Sequence, residues 1–198
     1  MSNLLTATVT IRGVRPMLWH AFGPDALPLE RQAKTGVAGN SPDEWKKTVR
    51  YTNDWQLCVD GAYAFAMIVA GAKNTKRKRG SIQPFVQSTL QVLDDRLLID
   101  RFLPNGIESL ETDPTLPVYL DVRGVVNPST KGRNIRYRVA ASTGWMTTFH
   151  ILWDQTIVSK GEMEASIRDG GQFNGLGNGR SIGYGRFEVV DFKASAPD

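Results

Sequence analysis

The segment Gly175-Leu-Gly-Asn-Gly-Arg-Ser-Ile-Gly-Tyr-Gly185 sets five glycines within eleven residues, between a helical pattern and the last strand-forming stretch. Backbone without side chains reaches positive φ angles and approaches a ligand or another segment closely, and its amides suit phosphate oxygens. Arg180 lies inside the segment, Arg186 stands at its exit, and Tyr184 offers a ring for stacking or sugar contact. No Lys-Ser or Lys-Thr pair follows the last glycine, which excludes a P-loop. A Rossmann fingerprint is excluded as well, because this segment enters a strand instead of opening a helix after the first one. Taken by themselves, the residues leave two readings open: a ligand-contacting loop, or a tight helix-to-strand crossing that needs glycine for packing.

The rest of the chain supplies elements for that segment to join. Leu5 to Ile11 is β-branched and partly alternating, which predicts a strand ending at Gly13 and Pro16. From there to Pro42 the glycines and prolines predict an extended loop that carries Trp19 and Phe22. A short helix is expected over Pro42 to Val49 and a strand over Trp55 to Val59. Asp60 then caps a helix from Gly61 to Ala72 that has almost no polar face and so must be buried. An amphipathic helix near Pro84 to Leu93, a strand at Leu97 to Ile99 and a proline-marked loop over residues 104 to 117 follow. Strands are expected at Val118 to Val126, Ile135 to Ala140 and Trp145 to Trp153. Ser159-Lys-Gly-Glu162 is a capping box opening a helix to Asp169, and Arg186 to Lys193 closes the chain as a strand before a fraying tail at 194–198. This order matches the split β-α-β plan, with helices over one face of an antiparallel sheet.

The glycine spacing also carries a resemblance. Gly175-Leu176-Gly177, five residues including Arg180, then Gly183-Tyr184-Gly185 matches position by position the pattern of the RAMP superfamily of CRISPR-associated proteins. Val9 to Leu18 and the closing Gly-Arg-Phe-Glu-Val189 further resemble small RAMP-type proteins encoded by phages and mobile elements. The resemblance implies an α+β, ferredoxin-like (RRM-like) fold: an antiparallel sheet with helices on one face and inserted loops. It implies one elaborated domain over 1–193, with insertions near 13–56 and 73–116. It implies binding of RNA or other single-stranded nucleic acid by Gly175, Gly177, Gly179, Arg180, Tyr184 and Arg186, in a homo-oligomer or filament like the backbone subunits of CRISPR effector complexes. Since some RAMP proteins cut RNA with a histidine near the N-terminus, His20 is the catalytic candidate of an alternative, endoribonuclease reading. A third reading is a phage-encoded protein that occupies or mimics a site in a CRISPR-related partner.

Charge distribution adds two basic clusters to this expectation. The net charge is +4, and the densest run is Lys73, Lys76, Arg77, Lys78 and Arg79. The second set, Arg123, Lys131, Arg133, Arg136 and Arg138, is free of acids from 123 to 138, and alternation puts Arg136 and Arg138 on one strand face. Both clusters are expected to contact phosphates along a groove. Trp19 and Phe22 are expected to anchor a neighbouring subunit. His150 reads as a sheet residue, and the pairs Asp94-Asp95 and Glu162/Glu164 read as turn and helix surface, with no metal-ligand spacing. The lone Cys58 excludes an internal disulfide, and no window approaches a membrane span. The expectation is therefore a cytoplasmic protein without cofactor, metal or membrane partner.

Overall fold

A computed structural model describes residues 3–21, 42–104, 109–126 and 131–196. Along the chain run β1 (Leu4–Gly13), β2 (Met17–Leu18), α1 (Glu44–Thr48), β3 (Gln56–Asp60), α2 (Gly61–Gly71), β4 (Lys76–Arg77), β5 (Gly80–Ser81) and α3 (Gln83–Thr89). They are followed by β6 (Gln91–Val92), β7 (Arg96–Phe102), β8 (Val118–Val126), β9 (Arg133–Ala141), β10 (Met146–Asp154), α4 (Lys160–Asp169) and β11 (Phe187–Ser195). The main sheet has the order β11-β1-β10-β6, with β1 antiparallel to both β10 and β11. β7 extends this layer: it pairs with β3, and its Asp100 carboxylate accepts the Met146 amide of β10 at 2.6 Å. The result is the expected α+β, antiparallel, ferredoxin-like arrangement.

Alternation along β1 explains why the sheet has one covered face. Ala7, Val9 and Ile11 are buried, and the threonines between them lie on the other side. α2 and α4 lie over the covered face and approach each other closely at Gly71, where an added Cβ would collide with the Ser166 carbonyl and the Gly170 amide. Phe149, Ile151 and Trp153 of β10, Met67 and Ile68 of α2, and Met163 and Ile167 of α4 fill one contiguous core. Each large aromatic buries ~150–250 Å², roughly 4–6 kcal/mol of gross apolar transfer at ~25 cal/mol/Å².

A second sheet, β2-β9-β8, packs beside the first. One face sends Met17, Trp19, Val118, Val139 and Ala141 into the core. In register on the other face are Leu18, Ala140 and Tyr119, then the facing pairs Asp121 with Arg138 and Arg123 with Arg136.

The helix at 159–169 begins with the expected box. Ser159 Oγ accepts the Glu162 amide, and Glu162 accepts the Ser159 amide at 2.9 Å. Glu162 has a further partner that the local sequence did not reveal: Arg77 of β4 donates to it at 2.6 and 2.8 Å. Partial burial opposes ionisation of Glu162, but the bonds from Arg77 and Ser159 outweigh it and hold the carboxyl below its ordinary value. A depressed carboxyl contributes stability above its unfolded-state pKa and loses it as pH falls through the folded value. Glu162→Gln keeps a capping side chain but not the charge. The melting temperature of the wild type should exceed that of this variant by a few degrees at neutral pH, and the gap should close below about pH 4. A gap that persists in acid would show that the charge is not its source.

Three local expectations are revised. The 13–42 stretch hides a two-residue strand, β2, paired to β9. The basic run, for which no element was expected, forms a small β4–β5 hairpin turning through Lys78 at φ 53°. The closing strand runs to Ser195, since Ala194 and Ser195 still pair with Ala7 and Thr6.

Candidate nucleic-acid interface

The glycine segment begins where α4 runs into a single π-helical turn, Gly170–Asn174, and it reaches β11 through a short 3-10 turn, Arg180–Ile182. It is clamped to β2: the Asn178 amide donates to Leu18 O at 2.8 Å and the Gly185 amide to Pro16 O at 2.7 Å. At Gly177, an added Cβ would lie 2.8 Å from Leu18 O and from Met17 Cγ. Most of the segment's amides are occupied internally, those of Gly175, Leu176, Asn178, Ile182, Gly183, Tyr184 and Gly185 all donating to backbone carbonyls. The expected phosphate contact of Gly175 is therefore corrected, its amide donating to Gly170 O, whereas Gly177 keeps an open amide and lines a cleft. These two positions, with Gly185, are glycine because chain meets chain there. Only the amides of Gly179, Arg180 and Ser181, on the outer turn, and that of Gly177 have no acceptor among the described residues.

Those outer amides line a cleft of about 700 Å³ together with Tyr63, Phe173, Asn174, Asn178 and Arg186. Arg186 also lines a second cleft of about 470 Å³ with Val14, Arg15, Arg168, Gln172 and Glu188, and is the residue the two clefts share. Its Nη1 is buried without a hydrogen-bond partner, while Nη2 donates to Arg180 O at 3.4 Å. Burial lowers its pKa and disfavours the charged form, a penalty that an anion in either cleft would offset. Arg168 is held by Glu164 at 2.7 Å, and Arg15 is exposed.

The two basic clusters stand elsewhere. Arg123 donates to both Asp121 oxygens and to the Tyr184 hydroxyl, and its guanidinium lies 4.6 Å from the Tyr184 ring centroid. Arg136 pairs with Glu44 of α1. Arg138 is 6% exposed. Arg138 is thus enclosed, a correction to its expected role as a phosphate contact, while Arg123 and Arg136 are held in ion pairs, and Tyr184, expected to stack or contact a sugar, has its ring against Arg123. Lys131 and Arg133 are exposed at the foot of β9. Lys76, Lys78 and Arg79 are likewise exposed on the β4–β5 hairpin, beyond the C-terminal end of α2, whose first turn supplies Tyr63 to the cleft. At 1.5 Å per residue, the helix alone separates Tyr63 from Gly71 by about 12 Å. Arg77 is bound to Glu162 and faces the Phe85 ring.

His20 lines a crevice of about 10 Å³ with Arg50, Cys58, Tyr63, Gly177 and Asn178, next to the larger cleft. Burial lowers its pKa, with Glu44 opposing and Arg136 and Arg138 adding to the shift. Trp19 is 2% exposed, and its Nε1 donates to Cys58 O at 2.8 Å. It is a core residue, which corrects the expectation of a subunit anchor, and Phe22 lies outside the described residues. His150 is an exposed sheet residue paired with Asp94. Among the described residues no group of three His, Cys, Asp or Glu side chains could hold a metal ion, and no helix is long and apolar enough to cross a membrane. Tyr63, Phe173, Arg15 and Arg168 were not singled out from sequence. Only Arg15 had a pointer, lying within the Val9–Leu18 stretch.

An antiparallel sheet, two helices over one face and a glycine-rich crossing before the last strand make up a ferredoxin-like α+β fold. No protein-family model and no curated protein sequence matches the chain. Among solved structures it is similar to a chain of the cryo-EM structure of the Type III-B Cmr-beta bound to cognate target RNA, with a TM-score of 0.50 and 10% identity. That similarity covers 98% of this chain but 61% of the other, so this chain spans less than two thirds of its neighbour's length.

Proposed function

We propose that this chain binds single-stranded nucleic acid, RNA or DNA, along the arginine-lined groove beside the glycine segment, without catalysis, and works as a multimer resembling a CRISPR effector backbone subunit. The observation that carries the reading is Arg186, which lines two clefts and has a buried Nη1 without a hydrogen-bond partner. Arg180 and three open amides stand on one side of it, and Arg15 and Arg168 on the other. The likeness to a chain of an RNA-bound Cmr-beta complex supports the same direction. Lys131, Arg133 and the β4–β5 hairpin would add outlying phosphate contacts to a longer strand. Self-association is supported by the β8–β9 hairpin, where Val126 and Ile135 are 58% and 44% exposed on the face continuous with the core. A cytoplasmic setting suits such a partner.

Removing Arg180 and Arg186 together should weaken binding of a single-stranded oligonucleotide about 10- to 100-fold at ~0.1 M salt. The slope of log K against log salt should become shallower by about 1 to 2, as expected for one or two lost phosphate contacts. Fluorescence anisotropy over a salt series measures both. An unchanged slope would sink the groove assignment. The endoribonuclease reading has one observation in its favour, the position of His20 beside the cleft. Its crevice is small, with room for about one water. Cleavage that His20→Ala abolishes would establish that reading instead, and a partner protein retained after nuclease treatment would favour the mimic.

A further inference from the structure

We infer that the cleft beside the π-helical turn holds an unpaired nucleobase, so that the groove reads the strand's bases as well as its phosphates. This assignment rests on the groove reading above and deepens it. Phe173 is 53% exposed, a large apolar ring held out into solvent at the mouth of the cleft. It stands on the one π-helical turn among the described residues, a distortion found frequently at functional sites. Tyr63, from the first turn of α2, lines the same cleft and is half-buried.

Phosphate contact needs neither ring. Asn174 and Asn178 also line the cleft, and neither side-chain amide is engaged by a described residue. Each carries donors and an acceptor, the complement of a base edge. The Ser181 hydroxyl adds another such group. A volume of about 700 Å³ lies within the ~300–1,000 Å³ range of ligand sites and accommodates a nucleoside unit. Arg180 and Arg186 at the same cleft would hold the flanking phosphates. Rings for the base face, amides for its edge and arginines for the backbone are the chemistry of single-strand recognition.

The experiment compares an ordinary oligonucleotide with a uniformly abasic strand of equal length and charge, in ribose and deoxyribose forms, by fluorescence anisotropy. Wild-type protein should bind the base-bearing strand about 5- to 100-fold tighter than the abasic one. Phe173→Ala combined with Tyr63→Ala should bring the ratio of base-bearing to abasic binding close to one. Tyr63→Phe, which retains the ring, should preserve the preference and serves as the control for folding. Equal binding of both strands by wild type overturns the base pocket alone. Binding of neither strand overturns both the pocket and the groove reading beneath it.

Discussion

Gly185→Ala is expected to lower the unfolding free energy by about 3–5 kcal/mol, whereas Gly183→Ala, two residues away, should cost about 1–2 kcal/mol. Both glycines sit at positive φ, 69° and 90°, so alanine at either pays the left-handed penalty of roughly 1–2 kcal/mol. Their surroundings differ. A Cβ on Gly183 meets nothing within 4 Å, while one on Gly185 collides with the Leu176 carbonyl, which is backbone and cannot swing aside. Relieving that overlap separates the two strands of the loop. It breaks the bond from the Leu176 amide to Gly185 O at 2.9 Å and the one from the Gly185 amide to Pro16 O at 2.7 Å. At about 1 kcal/mol each, with buried groups left unsatisfied, these losses account for the difference. Urea denaturation of the two variants measures it directly. Equal costs would mean that the crossing is slack at Gly185 and that its glycine is there for a ligand.

The same comparison shows what the sequence could convey. Spacing alone left the segment as either a ligand loop or a packed crossing, and the structure divides it between the two. Gly175 and Gly185 pack, Gly177 both packs and borders the cleft, and Gly179 to Ser181 face it. Elements written in local chemistry were legible: the alternation of β1, the all-apolar α2 that must be covered, and the capping box of α4. Contacts set by distant residues were not. Whether Arg136 reaches solvent depends on Glu44, and Arg77 is claimed by Glu162. Trp19 resembled a loop residue because only the partner strand β9 makes its neighbours a strand. The site suffered most from this. Arg15, Tyr63, Phe173 and Arg186 come from four separate parts of the chain, and no single window shows that they converge.

Asp121→Ala should be nearly as damaging, at about 3–5 kcal/mol, because it removes the carboxylate that makes a buried cationic face tolerable. Asp121 and Arg138 face each other across β8 and β9, and each is 6% exposed. Burial is the largest influence on Arg138 and pushes its pKa down, Arg136 and Arg123 push the same way, and Asp121 is the leading group that opposes them. Arg138 Nε has no hydrogen-bond partner, so the guanidinium depends on that nearby charge. Arg123 loses more directly, since both of its bonds to Asp121 vanish. If uncompensated charge is the cause, Arg138→Met in the Asp121→Ala background should recover part of the loss, because methionine fills similar space without a charge. The coupling between the two sites should then exceed ~1 kcal/mol in a double-mutant cycle read by urea denaturation. A cycle that closes to zero would mean that the face is held by packing of Tyr119, Leu18 and Ala140 alone.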